Sequence, residues 1–130
     1  MAVERFPFAF DRRFAPLLAV LGIREDNSEV VLDADTFEAR FGRWSVTTTT
    51  SNLKSVQITH DYRWYKAIGL RRSLADGGVT YGTNTRAGVC VCFHEPVTAG
   101  MGPGVRHPAL TVTVEDPEAL AEAIGRRLRH

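Results

Sequence analysis

The stretch Tyr62-Arg63-Trp64-Tyr65-Lys66, continued by Arg71 and Arg72, holds the residue types best suited to gripping another molecule. Rings and arginines are enriched at interface hot spots, and rings interleaved with cations suit an anionic ligand, a membrane surface or single-stranded nucleic acid. The competing expectation is that Trp64 and Tyr65 fold back as a small satellite core under a long loop, with the bases solvated. Cys90, Cys92 and His94 alternate, so they share one face of a strand, and His60 is a candidate neighbour. A zinc ion needs three or four such ligands converging at about 2.0–2.3 Å. Spacing along one strand spreads them too far apart, so no metal is expected, and the thiols are expected in the core.

Catalytic patterns are sparse. His60-Asp61 and His94-Glu95 are adjacent pairs, but neighbours on a strand point to opposite faces and form no simple relay. The sequence has no Gly-x-Ser-x-Gly elbow, Walker loop or His-Glu-x-x-His. A distant Cys92–His60 pair is the one remaining nucleophile and base. Gly100-Met-Gly-Pro-Gly lacks dinucleotide-fingerprint spacing and reads as a flexible hairpin loop. No catalytic residue and no cofactor is therefore expected.

These residues must be positioned by a chain of 130 residues, enough for one domain with its own core. With 44% hydrophobic and 24% charged residues it is of globular composition, not disordered, collagenous or coiled-coil. Sixteen Lys and Arg stand against fifteen Asp and Glu, a net charge of +1 that argues against a wholesale nucleic-acid binder or a chain that coats membranes electrostatically, and no specific nucleic-acid partner is expected. The balance conceals a pattern. Six acids and no base fall between Glu25 and Glu38 (Glu25, Asp26, Glu29, Asp33, Asp35, Glu38). Seven bases against Asp61 alone fall between Ala39 and Ser73 (Arg40, Arg43, Lys54, Arg63, Lys66, Arg71, Arg72). The blocks are expected to neutralise each other within one fold, the alternative being contact between copies.

Cys90 and Cys92 are the only cysteines, and two positions on a strand set their Cα atoms about 6.6–7 Å apart, so a bridge between them is strained. Reduced thiols suit a cytoplasmic protein. The apolar run Ala15–Ile23 is too short for a membrane helix of about 20 residues, and no cleavage motif follows it.

Phe6, Phe8 and Phe10 alternate in a short extended segment, which Pro7 confines to an edge. Phe14, Leu17, Leu18 and Leu21 have the spacing of an amphipathic helix, with Pro16 in its first turn and Gly22 at its end. Strands are expected at Val30–Leu32, Thr36–Phe41, Trp44–Thr50, Val56–His60, Val79–Gly82, Gly88–His94 and Ala109–Val114. Asp33-Ala34-Asp35, Ser51-Asn52 and Asp76-Gly77-Gly78 supply turns, and 61–76 is less regular. The last element is a helix with Asp116 as N-cap, Pro117 at its first position and a stripe of Leu120, Ile124 and Leu128. Arg126, Arg127 and Arg129 sit at its C-terminal end, where the helix dipole favours cations. The order implies an α+β, mainly β domain: a partly open antiparallel barrel of about seven strands in meander spacing. The C-terminal α-helix caps it and a short N-terminal helix precedes it. Residues 1–27 form an N-terminal extension and 28–130 the barrel and closing helix.

The pattern Pro108-Ala-Leu-Thr-Val-Thr-Val-Glu-Asp-Pro-Glu-Ala-Leu resembles the last strand and helix of bacterial pleckstrin-homology-like (PH-like) domains. Arg43-Trp-Ser-Val-Thr-Thr-Thr-Thr-Ser-Asn-Leu-Lys-Ser-Val resembles their middle strands. With Arg40-Phe-Gly-Arg-Trp and Arg72-Ser-Leu-Ala-Asp, the chain is also similar to a group of small actinobacterial proteins of unknown function. The resemblance covers roughly Ser28 to Leu128. It implies a helix-capped barrel with a binding role. Phosphoinositide-binding members carry Lys and Arg around the loop joining the first two barrel strands. Asp33-Ala34-Asp35 stands there in this chain and repels phosphate, so that activity is not expected at that place.

The expected function is a non-catalytic binding module that takes a protein or an anionic small molecule through Tyr62, Arg63, Trp64, Tyr65, Lys66, Arg71 and Arg72. A structural homo-oligomer joined through the acidic and basic blocks is the second reading, and a small enzyme with an unrecognised pocket the third.

Overall fold

The computed structural model describes residues 3–60, 69–72, 78–82, 87–99 and 105–128. It is mainly β, with nine strands among the described residues. In chain order they are β1 (Glu4–Pro7), β2 (Ser28–Leu32), β3 (Thr36–Phe41), β4 (Trp44–Thr49), β5 (Leu53–His60), β6 (Gly69–Arg72), β7 (Val79–Gly82), β8 (Ala87–Val97) and β9 (His107–Val112). The helices are α1 (Ala15–Val20) and α2 (Pro117–Leu128), with 3-10 turns at Glu25–Asn27 and Thr50–Asn52.

The first sheet is an antiparallel meander ordered β1-β2-β3-β4. Its turns follow from local chemistry. The Asp33 carboxylate accepts the backbone N–H of Asp35 at 2.8 Å and of Thr36 at 2.7 Å, which closes the β2–β3 hairpin. Gly42, at φ 61°, turns β3 into β4. The second sheet is not a meander. Its order is β5-β8-β9-β7-β6, and β7 runs parallel to β9 while its other pairs are antiparallel. The expected all-antiparallel barrel is corrected on this point, and the two sheets do not close into one barrel. Strand β6 lies in the stretch read as irregular: Gly69-Leu70-Arg71-Arg72 has no apolar alternation, and its pairing with β7 makes it a strand.

The inner faces alternate as sheet pleating requires. Phe37, Ala39 and Phe41 of β3 are fully buried, with Val30 and Leu32 of β2 beside them and Val89, Val91 and Leu110 on the facing sheet. Two aromatic contacts join the layers. Phe41 stacks on Tyr81 of β7, with ring centroids 4.8 Å apart and planes 6° from parallel. Phe37 meets Phe93 of β8 edge-on at 6.2 Å. The Tyr81 hydroxyl donates to the Ala99 carbonyl at 2.9 Å, so this buried ring leaves no hydroxyl unsatisfied.

The closing helix forms as the sequence requires. The Asp116 carboxylate accepts the Ala119 N–H at 3.1 Å, and Leu120, Ala123 and Ile124 are buried, packing α2 against β5 and β8. The N-terminal residues join the same core. β1 pairs with β2, Phe8 bridges to Val114, and Phe8, Leu18 and Ile23 are buried. The stripe expected on α1 is only partly realised. Leu18 alone is buried in this six-residue helix, while Leu17 is 51% and Leu21 41% exposed. The helix stops at Gly22, at φ 82°, before a second turn forms to fix its face.

Two outcomes test this account. Gly42→Ala combines a left-handed backbone with a Cβ placed 3.0 Å from the Gly22 carbonyl oxygen and 3.1 Å from Ile23 Cγ1. It is expected to cost about 1–2 kcal/mol or more in chemical denaturation. Burial holds the Tyr81 hydroxyl well above the ordinary tyrosine range. The unfolded chain therefore loses this proton first. The stability it supports is complete below about pH 10 and declines as pH rises beyond that. Unfolding followed from pH 8 to 11 is expected to show that decline, and Tyr81→Phe to flatten it.

Candidate functional site

The aromatic–basic residues Tyr62, Arg63, Trp64, Tyr65 and Lys66 lie outside the described residues. Arg71 and Arg72 fall on β6, paired with Thr80 and Val79 of β7, at one edge of the five-stranded sheet. Strand β5 forms the opposite edge. Gly100-Met-Gly-Pro-Gly also lies outside the described residues.

On β8 the alternation separates two faces. Val89, Val91 and Phe93 are buried, whereas Cys90 and Cys92 are half-buried and His94 is exposed. The expectation of core thiols is corrected accordingly: both sit on the face turned away from Val89 and Val91. His60 does not join them. It pairs with Ala87 while Leu53 pairs with Phe93, so His60 and His94 belong to opposite ends of the β5–β8 ladder. Among the described residues no group of three or more His, Cys, Asp or Glu is placed to hold a metal ion.

The acidic and basic blocks meet within the chain on the outer face of the first sheet. Glu29 stands across the strand pair from Arg40, whose guanidinium lies 3.6 Å from Glu29 and 3.0 Å from Glu38. Arg5 adds a second cation to Glu29. Other bases of the block are placed differently: the Arg43 guanidinium lies 4.9 Å over the Trp44 ring.

A concave surface runs along the seam between the sheets. Chain reversal through Thr50–Asn52 brings β4 and β5 beside the last residues of β8. A hollow of about 370 Å³ there is lined by Thr48, Thr49, Ser51, Asn52, His94 and Glu95. It shares Thr48, Asn52 and Glu95 with a hollow of about 290 Å³ that reaches Thr98 and Arg106. On its other side it shares Ser51 and His94 with one of about 260 Å³ that reaches Lys54 and Arg127. Together they form one polar trench.

Asn52 builds its floor. Its Oδ1 accepts the Glu95 N–H at 2.8 Å, and its Nδ2 donates to the Glu95 carbonyl at 3.0 Å and the Thr48 hydroxyl at 3.0 Å. A side-chain amide thus occupies both backbone groups of Glu95, as a neighbouring strand would. This locks the turn to β8 beyond the point where β5 pairing ends. The sequence pattern marks Trp44–Thr50 as strand and Ser51-Asn52 as a turn. It carries no signal for the trench, whose walls come from four separated segments.

No protein-family model matches the chain, and neither the curated proteins nor the solved structures contain a match.

The Asn52 clamp is checked by Asn52→Ala. Water can replace the lost bonds at this exposed strand end, so the expected cost is only about 1 kcal/mol. Amide exchange at Glu95 is expected to accelerate while exchange at Val89 and Val91 stays slow. Unchanged exchange at Glu95 means that the clamp does not hold the strand.

Proposed function

We propose that the chain is a non-catalytic binding module of the PH-like kind, which engages a protein or an anionic small molecule. Its contact surface is the aromatic–basic stretch Tyr62 to Lys66 with Arg71 and Arg72. The observation that carries this reading is the position of Arg71 and Arg72 on β6, an edge strand paired only with β7 among the described residues. An edge strand offers backbone groups to a partner, and adjoining cations and rings supply charge and contact area. Two packed sheets with a closing C-terminal helix support the PH-like assignment, while the parallel β7–β9 pair is a departure from a simple meander. Half-buried thiols that need no partner cysteine agree with a reducing, cytoplasmic setting. Assembly of copies through the charge blocks is the weaker reading, because Arg40 already engages Glu29 and Glu38 within one chain.

The test uses the chain's two tryptophans, Trp44 and Trp64. Trp44→Phe leaves Trp64 as the only indole reporter. Titration with inositol hexakisphosphate and, separately, poly-glutamate is expected to shift Trp64 emission with at least one probe. Adding Arg71→Ala and Arg72→Ala is expected to abolish the shift with the thermal midpoint nearly unchanged. Emission indifferent to both probes, or a shift that survives loss of both arginines, overturns the proposal.

A further inference from the structure

The 260 Å³ end of the trench has a donor set unlike the rest of the surface. Lys54 at the start of β5, His94 near the end of β8 and Arg127 in the last turn of α2 converge on it, joined by Thr50 and Ser51. No carboxylate is among its described lining residues. The Asp33-Ala34-Asp35 turn meets it through main-chain carbonyls, which accept from Arg127 Nε, the Thr50 hydroxyl and the Thr50 N–H, while the Asp33 carboxylate is engaged by the N–H groups of its own hairpin. By contrast, Arg5, Arg13, Arg24, Arg40 and Arg126 each have an acid within ion-pair distance. Arg127 is held instead by carbonyls. Its Nε donates to the Asp33 carbonyl at 3.0 Å and its Nη1 to the Ala123 carbonyl at 2.8 Å. Such partners fix the guanidinium without cancelling its charge, so its orientation is settled before any ligand arrives.

We infer that this cavity binds the phosphate of a small phosphorylated sugar, whose hydroxyls lie in the adjoining hollow. An ammonium, a guanidinium, an imidazole and two hydroxyls approaching from four elements suit a tetrahedral dianion with several acceptor oxygens better than a planar carboxylate. The adjoining hollow changes character: Thr48, Thr49, Asn52 and Glu95 line it, and the Glu95 carboxylate is a hydroxyl acceptor that repels a second phosphate. Cationic at one end, hydroxyl-rich and acidic at the other, the trench is polar in the sense that a sugar monophosphate is. This site goes beyond the proposed contact surface at 62–72 and shares no residue with it.

Calorimetric titration of the full chain with glucose 6-phosphate, inorganic phosphate and glucose tests the assignment. Glucose 6-phosphate is expected to bind more tightly than phosphate, and glucose not at all. Lys54→Ala and His94→Ala, both at exposed positions, are each expected to weaken the sugar phosphate about tenfold. Glu95→Gln is expected to narrow the preference for glucose 6-phosphate over phosphate. Because Arg127 also ties α2 to the β2–β3 turn, Arg127→Lys is read beside its thermal midpoint and serves only as a supporting variant. Absence of binding by both phosphorylated probes overturns the inference, as does unchanged affinity in Lys54→Ala and His94→Ala. Retention on phosphatidic-acid vesicles with no binding of glucose 6-phosphate overturns it too, by assigning the phosphate to a lipid headgroup. None of these readouts involves Trp64, Arg71 or Arg72, so failure here is separable from failure of the module reading.

Discussion

The inward face of β3 is the constraint on which the architecture depends. Phe37 and Phe41 each cross the gap between the sheets, one to Phe93 and the other to Tyr81. Burial of these rings removes large apolar areas from water and holds two layers whose strands share no ladder. Tyr81 can occupy that layer because Ala99 accepts its hydroxyl; without an acceptor, a buried phenol would weaken the contact. The N-terminal segment packs against the same rings, since Phe8 lies 5.5 Å from Phe41.

That inward face also dictates what happens outside. Once Phe37, Ala39 and Phe41 point to the core, Glu38 and Arg40 must point to solvent, and the β2–β3 register sets Glu29 opposite Arg40. Opposite charges separated in the sequence thereby become cross-strand neighbours. Exposed pairs of this kind contribute little to stability, on the order of 0–1 kcal/mol each. Their consequence is that Glu29 and Glu38 of the acidic block are engaged by the chain's own Arg5 and Arg40. Lys54 and Arg127 lie elsewhere, at the seam, where they face hydroxyls and an imidazole.

The seam exists because the two sheets meet along β3 but do not close. Beyond the end of the β5–β8 ladder Asn52 meets β8 with a side-chain amide in place of a strand, and the space beside it stays open as the trench. A strand in that position would complete more backbone pairing and remove the concavity.

Alternation of apolar residues, Gly and Asp turns, and the Asp116-Pro117 cap are local signals, and they made seven strands and the closing helix legible in the sequence. So was the edge position of the segment containing Pro7, since proline cannot donate to a ladder. Strand β6 was not legible, because Gly69-Leu70-Arg71-Arg72 owes its form to pairing with β7 and not to any pattern of its own. The face of α1 was not legible either: with so few turns, helical spacing does not determine which leucine is buried. The aromatic–basic stretch was legible as composition. The trench was not, because residues 47–54, 94–98, 106 and 127 become neighbours only through the ladders and helix packing that bring them together. Strand, turn and cap preferences act over a few residues, so the sequence by itself determined the elements. The parallel β7–β9 pair, the meeting of the charge blocks and the shape of the seam depend on contacts between distant segments, and only the tertiary structure decided them.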